Sequence, residues 1–390
     1  MGETTTGAMT AALVKVTPVV SGGLEVFHVS AVPRVTGVDA AHQVRSVYAA
    51  TLEGLEDARS LRIVAERAFG LLAAKDEFLR TRAELLREAG MRTDTPVTFL
   101  EGRPASGDAL AGVQMTLVRD ARPGVRVEPL REGERTYGYS VTSGDVRRVY
   151  LPGMHGMNGD AAPTAQARRM FERTRRLLRS IDLDYRHVVC TRIYLKDILD
   201  WYDDFNRVRN PFHEEVGLAA NGRHLVPAST GIQGKISEAC ACVMDVTAVR
   251  KNGEDCPFTK LTNPLQNEAT DYGSSFARGV RVDVPEASHV IVSGTASIDE
   301  TGRTVHAGNP LEQTRRTMRN FEAILEAGDA ELSDLYHAVW YVKAPAYATL
   351  VADEMRRCGW PEFPFIIVRA DVCRADLLVE IDAAAVVRRD

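Results

Sequence analysis

Apolar residues along the 390-residue chain fall into two rhythms, and the order of those rhythms repeats three times. In the last copy the apolar run His289–Gly294 has the length and β-branched content of a strand and is followed by a polar turn through Gly302. From about Pro310 the spacing changes, with Met318, Phe321, Ile324 and Leu325 recurring on one face of a helix. A β-rich run Ala338–Lys343, a second helix through Thr349–Met355 and two strands, Phe365–Ala370 and Leu377–Val386, complete the unit. The middle copy predicts strand Val149–Leu151, helix Gln166–Ile181, strand Val188–Leu195, helix Trp201–Arg209 and strands flanking Pro227 to Val249. The first copy follows more loosely, with strand Val26–Val29, helix Ala40–Ala58, strand Leu61–Leu71, helix Lys75–Gly90 and strands Pro96–Leu100 and Leu110–Arg119.

Gln166 and Tyr194-Leu195-Lys196 fall 147 positions before Gln313 and Tyr341-Val342-Lys343, which fixes the alignment of the second and third copies. The order β-α-β-α-β-β, preceded by a hairpin, implies an α+β layer with one mixed sheet and two helices on one face. Three domains are expected, over 11–120, 124–250 and 255–390, joined by the charge- and Gly-rich stretch Asp120–Arg135 and the polar stretch Arg250–Asn267.

A composition of 45% hydrophobic and 26% charged residues belongs to a globular chain rather than a disordered or fibrous one. The formal net charge of −5 offers no footprint for a polyanion, so no nucleic-acid partner is expected, while a small anion held by local Arg remains open. No run reaches the roughly 18 apolar residues of a membrane span, and no signal peptide is read at the start, so a cytoplasmic protein without a membrane partner is expected. Gly2-Glu3-Thr4-Thr5-Thr6 satisfies a loose N-myristoylation pattern, which is too short to weigh much. The six Cys are too sparse for a disulfide scaffold and lack zinc-site spacing, and Cys240 and Cys242 read as core residues of a strand. No GxGxxG, P-loop, HExxH or paired CxxC is present, so neither a metal nor another cofactor is implied.

The repeated unit resembles the RidA/YjgF family, chorismate-mutase-like α+β domains that form trimers with ligand sites in the clefts between neighbours. Three tandem RidA/YjgF-like units imply a trimer fused into one chain, an intrachain pseudo-trimer, and hence a monomer or simple homodimer. Residues from about 130 to 390 resemble the chorismatases more closely. The stretches that carry this are Val226–Ile232, Asn263-Pro264, Tyr272-Gly273, Phe276–Arg278, Val292–Ala296, Thr304–His306 and, above all, Asp376–Ile381. On the two-domain plan of that family, residues 11 to 120 are an extra unit.

Glu380 is the first candidate. Alternation places it on one face with Leu378 and Asp382 in an otherwise apolar strand. By pattern alone it is either an exposed or ion-paired carboxylate on an edge strand, or a buried carboxyl kept protonated by its surroundings. The resemblance favours the second and makes it the acid that protonates the enolpyruvyl methylene of chorismate. The aligned positions, Gly112 in the first unit and Cys242 or Val243 in the second, carry no carboxylate, so one complete site per chain is expected.

By the same resemblance Cys373 and Gly294 mark the 3-hydroxybenzoate-forming type, in place of the Ala residues of the hydrolytic type. Read from the pattern alone, Cys373 is a small buried hydrophobe and Gly294 a close-approach glycine. Arg278 and Tyr272 resemble substrate-contacting residues, and Arg192, on the central strand of the second unit, is a further candidate for a chorismate-like dianion, since guanidinium binds carboxylate as a planar fork. RidA-type deaminases carry an Arg fifteen residues before the aligned Glu, where this chain has Phe365, which disfavours deamination. Val339 stands where some chorismatases have Lys. The reading is a chorismatase giving 3-hydroxybenzoate and pyruvate in natural-product biosynthesis, with a hydrolytic chorismatase or related acid/base enzyme, and a non-catalytic metabolite binder, as alternatives.

Overall fold

A computed structural model describes residues 11–104, 108–120, 122–159, 161–220, 223–251 and 258–389; the myristoylation pattern and Cys256 lie outside them. Three mixed sheets account for the repeat. The first orders its strands Ala12–Ser21, Leu24–Pro33, Leu110–Arg119, Leu61–Gly70 and Thr98–Glu101. The second orders Val125–Glu132, Arg135–Ser143, Val146–His155, Cys242–Lys251, Val188–Leu195 and Ala228–Gln233. The third orders Thr259–Leu261, Gly279–Val284, Ala287–Ala296, Val379–Arg388, Leu335–Val342 and Ile366–Arg369, and takes Arg103–Pro104 of the first unit onto its far edge. In each unit the last long strand sits inside the sheet, between the second strand of a hairpin and the strand that follows the first helix. The first hairpin turns on Gly22-Gly23, both at positive φ, as a two-residue turn of matching twist requires.

Helices cover one face of each sheet, so the two faces of the last strand have different fates. In the third unit Val379, Ile381, Ala383 and Ala385 pack with Phe321, Ile324 and Val351 of the helices, while Glu380 and Asp382 point the other way. That second face meets the other two units: Phe69 and Leu100, Tyr194 and Val243, and Val339 and Tyr341 share one apolar cluster. Leu378, expected beside Glu380, precedes the strand and packs in part on the helix side.

Several boundaries differ from the sequence pattern. Asp120–Arg135 is largely the strand Val125–Glu132, an edge strand on which only Leu130 is buried, and this is why its composition is that of a linker. The helix expected over Ala40–Ala58 stops at Glu53 with Gly54 as its cap. The helix expected over Trp201–Arg209 runs Ile198–Glu215, through Pro211.

A buried Gln at the start of the first helix clamps the turn before the last strand in every unit. Gln43 Oε1 accepts from the N–H groups of Ala109 and Leu110, and Gln166 accepts from Ala241 N and donates to Ala239 O. Gln313 accepts from Leu378 N at 2.8 Å and donates to Asp376 O at 2.8 Å, which fixes the entry to Glu380. Gln313→Leu should leave both backbone groups buried without a partner and cost about 1–3 kcal/mol, read as a shift in the urea midpoint.

Candidate functional site

Glu380 opens into a cavity of about 250 Å³ between the second and third units. The second unit contributes the helix Ile198–Glu215, through Tyr202, Asn206 and Arg209, and the edge strand Ala228–Gln233. The third contributes Phe276, Arg278, Gly294, Cys373, Arg374 and Glu380. The edge strand holds the two units together: Gln233 N donates to Asp371 O at 3.0 Å, Ile232 bridges Val372, and Ser229 N donates to Ser293 Oγ at 2.8 Å.

The Glu380 side chain is 4% exposed and accepts no hydrogen bond from any described residue. Burial, and then the charge of Asp382 two residues along the same face, push its carboxyl up to about 8, with Arg278 and Arg374 opposing. Asp382 is held by the Tyr341 hydroxyl, which donates to it at 3.0 Å, and by Arg192 Nε at 3.4 Å. The result is a carboxyl that is largely protonated at neutral pH yet accessible to anything in the cavity. Cys373 lines the same space; burial, then the nearby Glu380, push its thiol up to about 12, so it is present as a neutral S–H and not as a thiolate nucleophile.

Gly294 sits in a β-bulge where Ser293 and Gly294 face Asp382 alone, between the pairs Val292–Ala383 and Thr295–Ile381. A Cβ on Gly294 would run into the Glu380 carboxyl, whose carbon lies 3.0 Å away, and would come within 3.2 Å of Thr230 Cγ2. The glycine therefore makes the space that the carboxyl occupies.

Of the six residues singled out by sequence, Glu380, Cys373, Gly294 and Arg278 share this cavity. Arg278 is 1% exposed, and its Nε donates to Asn267 O at 2.8 Å. Tyr272 ends the short turn Ala269–Tyr272, and its side chain lies outside the described residues. Arg192 does not line the cavity. In register opposite Asp245, it points to the junction of the three sheets, where it meets Asp382 and the Cys190 sulfur, so it reaches the site only through Asp382. Phe365 packs beside Phe363 and Trp360, outside the cavity.

Sequence reading missed Arg209 and Arg374. Arg209 is 1% exposed and rides over the rings of Phe205 and Phe276; its Nη2 donates to Asn206 Oδ1, its Nε is unpartnered, and it has no ion pair among the described residues. Its signal was present: Trp201, Phe205 and Arg209 recur every four residues on the buried face of one helix. Three guanidiniums thus surround the neutral carboxyl, an arrangement suited to a small dianion beside a proton donor.

Strand register aligns Glu380 with Val243 and Gly112, so neither of the other units offers a carboxylate at that position. No cluster of three metal-ligating side chains occurs among the described residues, and no helix there is long and apolar enough to cross a membrane.

Residues 275–387 match the family described as endoribonuclease L-PSP. A 3-hydroxybenzoate synthase of Streptomyces hygroscopicus is 28% identical over 204 residues, 47% of this chain and 57% of that protein, so the chain matches little more than half of that relative. A crystal structure of a chorismatase aligns with a TM-score of 0.58 at 18% identity, over 97% of this chain and 100% of that one, a likeness of fold. A YjgF-family protein of Neisseria meningitidis, 20% identical, covers 34% of this chain and 100% of its own, with a TM-score of 0.27. Because the chorismatase fold spans nearly the whole chain, the first unit is part of it and not the extra unit expected from sequence.

The raised Glu380 fixes a pH signature. Between its ordinary value of 4.5 and about 8 the folded chain keeps a proton that the unfolded chain has released. The stability tied to the neutral carboxyl is therefore full below the lower value and is lost as pH rises toward the upper one, at no more than about 1.4 kcal/mol per pH unit. Glu380→Gln should flatten this slope in urea unfolding between about pH 5 and about pH 9, and parallel profiles for the two proteins would contradict a raised Glu380. Gly294→Ala should displace the carboxyl and change that slope without unfolding the sheet.

Proposed function

From the match of residues 275–387 to the endoribonuclease L-PSP family, the partial similarity to a 3-hydroxybenzoate synthase and the chorismatase-like fold, we propose that the chain splits chorismate into pyruvate and 3-hydroxybenzoate in the cavity at Glu380. The observation that carries this reading is a buried carboxyl, held protonated at neutral pH, inside a cavity lined by three arginines. Chorismate brings two carboxylates, and Arg209, Arg278 and Arg374 supply their binding partners. Their positive charge also offsets the cost of bringing a dianion next to Asp382.

In this mechanism Glu380 donates its proton to the methylene carbon of the enolpyruvyl ether, and the ether carbon becomes an oxocarbenium ion. The neighbouring ring hydroxyl, rather than water, then bonds through its oxygen to the ring carbon bearing the ether; that carbon's bond to the ether oxygen breaks, pyruvate leaves, and the hydroxyl gives up its proton as a strained epoxide forms. The epoxide opens and its oxygen takes back a proton, and loss of a ring proton gives the aromatic acid. The products together contain the atoms of chorismate with nothing added, and the proton lost from the ring restores Glu380. Substrate that fills this cavity would displace the water in it, which favours the internal route. The neutral Cys373 thiol next to the carboxyl shapes that space and is a weak donor. Gly294 keeps the carboxyl in place.

Coupling pyruvate release to lactate dehydrogenase and identifying the product by chromatography and mass tests the assignment. Pyruvate with 3-hydroxybenzoate is expected; a non-aromatic diol would retain the substrate and overturn the internal route, and no pyruvate would overturn both. Glu380→Gln should lower turnover by about 10²–10⁴-fold. The wild-type kcat/KM should fall as pH rises through about 8, where Glu380 loses its proton. Arg209→Leu should raise KM more than it lowers kcat if it anchors a carboxylate away from the reacting bond.

A further inference from the structure

A second cavity, about 110 Å³, lies where all three units meet and shares no lining residue with the one at Glu380. His28 of the first unit, Arg148 of the second, and His289 and Tyr336 of the third line it. By volume it holds more than one water molecule.

Arg148 gives this cavity an unbalanced charge. It is 4% exposed, its Nη2 donates to Ser21 Oγ at 2.6 Å, and its Nη1 is buried without a partner. Among the described residues no carboxylate lies within 4.0 Å of it. Asp145 and Glu286 act on it only from the solvent-exposed surface, and Glu286 is engaged with the Gly22 N–H. The other charges at the junction cancel, since Arg67 and Arg192 stand with Asp245 and Asp382, and Glu66, the further carboxylate in the lining, is paired with Arg82. A guanidinium cannot shed its proton to escape burial, so its charge must be met by a counterion or by water.

The second open donor is on His28. Its Nδ1 lies 3.2 Å from Thr116 Oγ1, its ring stacks on Tyr336 at 3.9 Å, and its Nε2 is buried and unpartnered. Burial holds His28 and His289 well below their ordinary range, so both are neutral, and a neutral His28 that accepts from Thr116 presents Nε2–H.

We propose that this cavity binds one small monovalent anion, a halide or a short carboxylate such as formate, on Arg148 Nη1 and His28 Nε2, and that the ion pins the three units at their junction. This proposal does not rest on the reaction proposed at Glu380.

The test replaces gluconate, a bulky polyhydroxylated anion, with chloride or formate at constant ionic strength while the unfolding temperature of the intact chain is followed. The wild type should show a saturable rise on the order of 2 °C, and Arg148→Met should show none. Crystals of the wild type soaked in bromide should give an anomalous peak beside Arg148, so the proposal remains testable even if the variant does not fold. The same anion response in both proteins, no response in the wild type, or a cavity holding only water after the bromide soak would each overturn it.

Discussion

Ionised groups buried where three sheets converge must be neutralised without help from bulk water, and the rest of the site follows from how this chain meets that demand. Strand register puts Arg67 opposite Gln114, Arg192 opposite Asp245, and Val339 opposite Asp382. The third unit therefore has a carboxylate but no cation of its own. Asp382 borrows the guanidinium of Arg192 from the second unit and the hydroxyl of Tyr341 from its own. The Asp245 carboxylate is served by Thr98 of the first unit and the Gly153 N–H, while Arg67 donates to Tyr194 at 2.7 Å and to Gln114. This exchange ties the units together more specifically than apolar contact could, because each partner left unpaired would carry the full cost of a buried charge.

The same demand sets the chemistry of Glu380. One step along the strand face from Asp382, it accepts no hydrogen bond and forms no ion pair among the described residues, so burial and the charge of Asp382 outweigh Arg278 and Arg374 and the least costly state is the protonated one. A carboxyl in that state donates a proton at neutral pH. Val339, opposite Asp382, belongs to the same arrangement: with no Lys or Arg there, Asp382 depends on a neighbouring unit.

Repetition built three clefts, and the side chains differentiate them. Between the first and third units Gly112 is closed over by Ile366, whose Cγ1 would lie 2.7 Å from a Cβ at that glycine, and Arg103–Pro104 extends the sheet across the gap. Between the second and third units Gly294 and the arginines leave a polar space open. A repeated backbone plan thus gives a sealed contact in one place and an open polar cavity in another, the difference being a few side-chain volumes and charges.

Much of this was legible in the sequence. Period-2 and period-3.6 patterning reveal the threefold repeat because each unit buries one sheet face against its own helices, and a lone Glu in an apolar strand stands out because burial of carboxylates is costly. Alternation alone assigns Glu380 and Asp382 to the same face. Other features depend on which surfaces meet across units, and no local rhythm encodes that. Arg192 alternates like a site residue but is drawn to the axis by Asp382, whereas Arg209, on a helix of a different unit, is brought over Phe276 only by packing. The sequence by itself determined the repeat, the order of the main elements and the place of a lone carboxylate in an apolar strand, since these follow from periodicity. Only the tertiary structure decided which arginines surround that carboxyl, which carboxylate raises it and which glycine makes room for it, since those depend on distances between residues far apart in the chain.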